Sequence, residues 1–152
     1  MLQVFENNPD HLNDFIRLNE EWISAYFEIE AVDRQLAANP QKVIDDGGYI
    51  FSLAPNNKVI GVCALFNHGN DIYELARMAV SPDHQGKGYG KQLIQVCLAK
   101  ARELHAKKVF LVSNTKLDAA IALYTKRGFK TIATGHHPVY SRANITMALD
   151  IS

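Results

Sequence analysis

Charge of one sign, cysteine and long apolar runs are all in short supply in this chain of 152 residues. Sixteen Lys and Arg offset sixteen Asp and Glu. No surplus positive field exists to hold a phosphate backbone unselectively, so nucleic acid is not an expected partner. The two cysteines, Cys63 and Cys97, lie in apolar stretches without a CxxC spacing. They read as small core residues in a reducing compartment, not as a disulfide framework. No stretch approaches the roughly 18 apolar residues of a membrane span, and the opening MLQVFENNPDHLNDF has no basic segment followed by an apolar run. A cytoplasmic protein without membrane contact is expected. What the chain does have is 47% hydrophobic residues and no Ser/Gly/Pro-rich linker or repeat, so residues 1–152 are expected to form a single domain. A chain of this size buries about 68–70% of its unfolded surface, enough for a core without disulfides or structural metal.

Changes of hydrophobic period mark the elements. Leu2, Val4 and Phe5 predict a short strand closed by Asn7, Asn8 and Pro9, after which Leu12, Phe15, Ile16, Trp22 and Ile23 recur at helical spacing. Residues 26–44 predict further helix, broken at Asn39-Pro40 and stopped by Gly47-Gly48. From Tyr49 the period shortens, and 49–54, 59–66 and 72–80 predict three strands of a meander. Leu93, Ile94, Cys97, Ala101 and Leu104 mark the buried face of a long helix. The apolar run 109–112 predicts a central strand covered on both faces. Residues 118–127 predict a helix with Asp118 at its positive end, Lys126 and Arg127 at its negative end and Gly128 as a left-handed cap. Two last strands, 129–133 and 145–149, are expected to pair antiparallel. The fold class is α+β: a central mixed, mainly antiparallel sheet of six to seven strands with helices on both faces.

The sharpest local feature is a strand, then a turn with three alternate glycines, then an amphipathic helix. Gly86, Gly88 and Gly90 clear side chains away from a run of backbone amides, the helix dipole favours negative charge there, and Lys87 and Lys91 add formal charge. Two familiar phosphate loops fail on spacing. A Walker A loop would need a glycine at Gln85 and a hydroxyl at Gln92. The dinucleotide fingerprint would need a glycine at Lys91.

The turn and its flanks, Ala79-Val80-Ser81-Pro82-Asp83-His84-Gln85-Gly86-Lys87-Gly88-Tyr89-Gly90, resemble motif A of the GCN5-related N-acetyltransferase (GNAT) superfamily, Arg/Gln-x-x-Gly-x-Gly/Ala after a strand. A second landmark of that superfamily, an Ala-rich helix ending in Tyr-x-x-x-Gly-Phe, is similar to residues 119–129, with Tyr124, Gly128 and Phe129 at the marked positions. The resemblance covers residues 72–133. It implies acetyl-CoA as co-substrate, its pantetheine arm against the backbone of Met78, Ala79 and Val80. The amides of Gln85, Gly86, Lys87, Gly88, Tyr89, Gly90 and Lys91 would wrap the pyrophosphate. No metal is implied, and His68, His84, His105, His136 and His137 form no ligand spacing with a carboxylate.

Acetyl transfer to an amine needs a base, an oxyanion donor and an acid for the departing thiolate. The resemblance makes Tyr124 the acid, a phenol of ordinary pKa about 10 facing a thiol near 8.5. Glu74, a carboxylate in an otherwise apolar strand eleven residues before Gln85, matches the spacing of the superfamily's catalytic glutamate. Alternatively it faces solvent or pairs with Arg77. A main-chain N–H near Ala79 is expected as the oxyanion donor. The superfamily's cofactor-binding Asn would fall at Leu117. Asn114 is the nearest substitute, either as a cofactor ligand or as turn chemistry. The acceptor channel is expected around Trp22, Tyr26, Phe27, Glu28, Glu30 and residues 136–142, with Glu20, Glu21, Glu28 and Glu30 either drawing in a cationic amine or forming a solvated face. The implied partner is a small-molecule or peptide amine, and a homodimer stays open. The competing readings are a silent acyl-CoA sensor, or an acyltransferase with another donor or a hydroxyl acceptor.

Overall fold

The computed structural model describes residues 3–151. Leu2, expected in the first strand, lies outside the described residues. Seven strands form one sheet: β1 (Val4–Glu6), β2 (Tyr49–Leu53), β3 (Gly61–Asn67), β4 (Ile72–Val80), β5 (Lys108–Ser113), β6 (Lys130–Thr134) and β7 (Ile145–Asp150). The helices are α1 (Leu12–Tyr26), α2 (Ala31–Ala38), α3 (Gln41–Asp45), α4 (Tyr89–Glu103) and α5 (Asp118–Lys126). Strand order is β1-β2-β3-β4-β5-β7-β6, with β4 and β5 parallel and the other pairs antiparallel. The last two strands pair antiparallel as expected, but β7 inserts between β5 and β6, an order that local pattern does not encode.

Alternation within the strands sorts the side chains into two cores. Phe51, Leu53, Cys63, Leu65, Tyr73, Leu75, Val109 and Leu111 pack with Leu93, Ile94 and Cys97 of α4 and with Tyr124 of α5. Ile50, Val62, Ala64 and Ala79 pack on the other face against Phe15 and Leu18 of α1, with Leu36 of α2 and Val43 of α3 at the margin. The strand expected to be covered on both faces is covered on one. Val109 and Leu111 are buried, while Phe110 and Val112 are half-buried on the face where α1 has already been spent on β3 and β4. Element ends differ by a residue or two from the sequence pattern. Residues 27–30 leave the helix before α2, β3 begins at Gly61 and not at Val59, and β6 begins after Phe129, which is a core residue.

Two irregularities in β4 position the site. Opposite Cys63 the register slips, so that Val62 pairs with Ala79 but Ala64 with Ala76. The extra residue is Arg77, at φ +59°, a β-bulge. Tyr73 and Leu75 therefore face α4, while Ala79, four residues after Leu75, faces α1. The second irregularity is a parting: β4 pairs with β5 only at Ile72, Glu74 and the residue between them. Beyond Glu74 the strands diverge.

Candidate active site

A cavity of about 1040 Å³ occupies the gap between the diverging strands, with walls from α1, β4, the turn before α4, the end of β5 and α5. At its α4 end, Gly86 and Gly88 sit at φ +77° and +85°, and a Cβ on either would meet no protein atom within 4 Å. Backbone conformation therefore calls for glycine there, and the space above stays open. Among the described residues no hydrogen bond engages the amides of Gln85 through Lys91; the first amide bonded is that of Gln92, to the Gly88 carbonyl. Helix starts leave such amides free, and they carry the positive end of the dipole. His84 Nδ1 nearby is buried without a partner among the described residues. Tyr89, Gly90 and Lys91 line the cavity, whereas Lys87 is exposed and off its wall.

Along the floor, Ser81 N–H donates to the carbonyl of Ile60, just before β3, so alternation turns the amide and carbonyl of Val80 toward the gap. That carbonyl accepts from Gln85 Nε2 at 3.1 Å. Met78 and Ala79 line the cavity with it.

Glu74 and Tyr124 reach the same cavity from opposite faces of the sheet. Glu74 is 5% exposed, which excludes the solvent-facing alternative. Its partner is His68 Nε2, 2.9 Å from Oε1, not Arg77. His68 sits on the turn between β3 and β4, half exposed, its ring edge-on to Phe110. Burial pushes the Glu74 carboxyl above its ordinary range, and the His68 hydrogen bond, with Arg77 and His137 further off, offsets part of that rise. Sequence reasoning considered His68 only in excluding a metal site. The readable signal was a polar residue six positions before a lone strand carboxylate, across a tight turn. Tyr124 is buried, edge-on to Phe129 at 6.0 Å. No described residue hydrogen-bonds its hydroxyl. Burial, with the Cys63 and Cys97 thiols alongside, raises its phenol well above the ordinary value.

The far end of the cavity is walled by Trp22, Ile23, Tyr26 and Phe27 of α1 and its exit, by Arg77, and by Tyr140 and Arg142 of the β6–β7 connection. Glu30 and Asp33 stand behind that wall. Asp33 closes a reciprocal cap at the start of α2, accepting from Glu30 N at 2.8 Å, and it receives both Arg77 and a two-pronged contact from Arg142. Glu30 accepts from Ser141 N and Oγ and from Arg142. Burial would raise the Asp33 carboxyl, but the bonds from Arg142, the Glu30 backbone and Arg77 outweigh it and hold Asp33 at about 2. Both guanidinium groups lie near the Tyr140 ring, 5.4 and 5.2 Å from its centroid. Of the acidic residues expected to draw in an amine, Glu21 pairs with Arg17, Glu28 is exposed and off the cavity wall, and Glu30 belongs to this network. Sequence reasoning missed Asp33 and also Asn19, a buried amide that donates to the carbonyl of Arg77 at the bulge.

Asn114 lines the cavity, but its amide serves the turn: Nδ2 donates to the Arg142 carbonyl at 2.7 Å and Oδ1 accepts from Lys116 N. Leu117 precedes α5. Among the described residues no group of three His, Cys, Asp or Glu is arranged to hold a metal ion, and no helix is long and apolar enough to cross a membrane.

The profile of the acetyltransferase (GNAT) family matches residues 13–129, and the chain belongs to that family. The N-acetyltransferase YvbK of Bacillus subtilis, itself uncharacterised, is 30% identical over 111 residues, 70% of this chain and 72% of that protein. The uncharacterised N-acetyltransferase YjgM of Escherichia coli is 37% identical over 81 residues, 50% of this chain and 48% of its own length. The match thus spans about half of that relative. Among solved structures, a GNAT-family acetyltransferase of Staphylococcus aureus superposes with TM-score 0.88 at 18% identity, and a Bacillus subtilis acetyltransferase in complex with CoA with TM-score 0.70 at 20% identity. Each covers 100% of both chains and shares this fold.

Proposed function

We propose that the protein moves the acetyl group of acetyl-CoA directly to an amine, with no covalent enzyme intermediate. One observation carries the reading: a single cavity joins the unengaged amides of Gln85 through Lys91 to a buried carboxylate, Glu74, and a buried phenol, Tyr124. The donor set fits a pyrophosphate, since free N–H groups and a helix start favour anions and a Cβ at Gly86 or Gly88 would fill the open space. Acetyl-CoA, when bound, supplies the activated acyl thioester. Val80 and Met78 offer their backbone to its arm with Ala79 lining the floor between them, Lys91 adds charge at the pyrophosphate, Lys87 contributes from the rim, and Asn114 touches the cofactor with an edge its turn leaves free. Glu74 removes a proton from the incoming ammonium, and its raised pKa brings it nearer the working pH of a general base. Tyr124 keeps its proton until a thiolate develops beside it. An N–H of β4 near Ala79 faces the developing oxyanion.

Release of free thiol from acetyl-CoA, followed across a panel of amines, tests the reaction. Calorimetry with acetyl-CoA in the absence of magnesium tests the binding. Gly88→Val, folded by circular dichroism, should lose most of that affinity. Unchanged affinity would remove the glycine turn from the site.

A further inference from the structure

The acceptor end of the cavity has an unusual charge count. Its two arginines, Arg77 and Arg142, are matched by Asp33 and Glu30 through the contacts already described, so those four groups cancel. Glu74 is left over, with only the half-exposed His68 for a partner. The remaining wall is aromatic: Trp22 lies 5.4 Å from Tyr26 and 6.0 Å from Phe27 between ring centroids, and Tyr26 is 55% exposed at the opening. One surplus negative charge amid aromatic faces attracts a cation, through Coulomb's law and through the ring quadrupoles. A carboxylate beside the amine would meet no uncommitted guanidinium and would stand close to Glu74.

The same ion pairs bear on the size of the acceptor. Five hydrogen bonds join Glu30 and Asp33 to Ser141 and Arg142, more than 100 residues apart in sequence. Arg77 and Tyr140 line both the main cavity and a second one of about 290 Å³ against α2 and α3, so this network is the partition between them. A chain running on from the reacting amine toward α2 and α3 would have to breach it.

Resting on the acetyltransferase reading above, we propose that the acceptor is a small amine on an uncharged apolar or aromatic body, without a carboxylate next to the amine and not part of a polypeptide. Trp22 is the only tryptophan in the chain and lines this end of the cavity, so its fluorescence reports amine binding without requiring turnover. The test titrates the full chain, saturated with coenzyme A, with 2-phenylethylamine, phenylalanine, phenylalaninamide and a tripeptide beginning with phenylalanine, and then measures thiol release from acetyl-CoA with each. The expected result is binding of 2-phenylethylamine at least tenfold tighter than of phenylalanine or the tripeptide, phenylalaninamide falling between, with turnover in the same order. Equal or tighter binding of phenylalanine, preference for the tripeptide, or no fluorescence response to any amine would overturn the inference. Selective amine binding without thiol release would support the acceptor class and refute acetyl transfer. Turnover led by phenylalanine or the tripeptide would do the reverse.

Discussion

Glu74 is a liability to the fold if it has no chemical use. A carboxyl whose folded pKa is raised gives stability that is full below its ordinary 4.5 and is lost as pH rises through the folded value. Near pH 8 the native chain carries a buried charge that Gln would not. Glu74→Gln should therefore hold or raise the melting temperature at pH 8 while lowering kcat/KM, most strongly at low pH, where the free amine is scarce. A fall in melting temperature with an equal activity loss at every pH would mark a structural role instead. His68 acts on the same group. Without its hydrogen bond burial is opposed only by the more distant Arg77 and His137, so His68→Ala should move the acid limb of the pH–rate profile upward, and His68→Gln, which keeps a donor, should restore part of the shift. Tyr124→Phe breaks no hydrogen bond among the described residues, so unfolding midpoint and acetyl-CoA affinity should stay put while turnover drops roughly 10²–10⁴-fold. Full activity at saturating substrate would release Tyr124 from that role.

At the scale of elements, the ion-pair cluster at the start of α2 sets an acid limit. Asp33 at about 2, against an ordinary 3.8, contributes on the order of 2 kcal/mol, present above about pH 4 and lost as pH falls through about 2. Urea unfolding across that window should show the loss in the native chain. Asp33→Asn should flatten it, at a cost of about 3–5 kcal/mol near neutral pH from stranding the Arg77 guanidinium and leaving Arg142 with Glu30 alone. Little of this was legible beforehand. The glycine turn, the Tyr124 helix and the lone strand carboxylate could be read because each is a local pattern whose chemistry sits within a dozen residues. Arg77 gives no such signal: bulges at positive φ favour glycine, and an arginine inside an apolar strand reads as ordinary alternation. The partners of Glu30 and Asp33 lie about 110 positions away, at Arg142, and only the insertion of β7 beside β5 brings that connection near α2. The spacing of Glu30 and Asp33 as a reciprocal helix cap was readable, though not its second use.

Over the whole molecule, the sheet is continuous in name more than in bonding. Strand pairing joins β1–β4 to β5–β7 only from Ile72 to Glu74, while β5 and β7 share six register positions, Lys108 to Ser113; the rest of the joint is side-chain packing under α4 and the ion pairs at Arg142. Such a junction is where a protein divides into separate cooperative units. In the free protein, amides of β5 and β7 should therefore exchange by opening events smaller than global unfolding, while β2 and β3 exchange only with the whole. A ligand lodged between the halves binds only when they are correctly apposed, and at 100 times its Kd it adds about 2.7 kcal/mol to that apposition. Native-state hydrogen exchange with and without coenzyme A should then show the two rates converging, the halves opening as one. If acetyl-CoA binds as proposed, the parting of β4 from β5 makes the stiffness of that joint depend on occupancy, and the unliganded fraction would be the one most open to proteolysis.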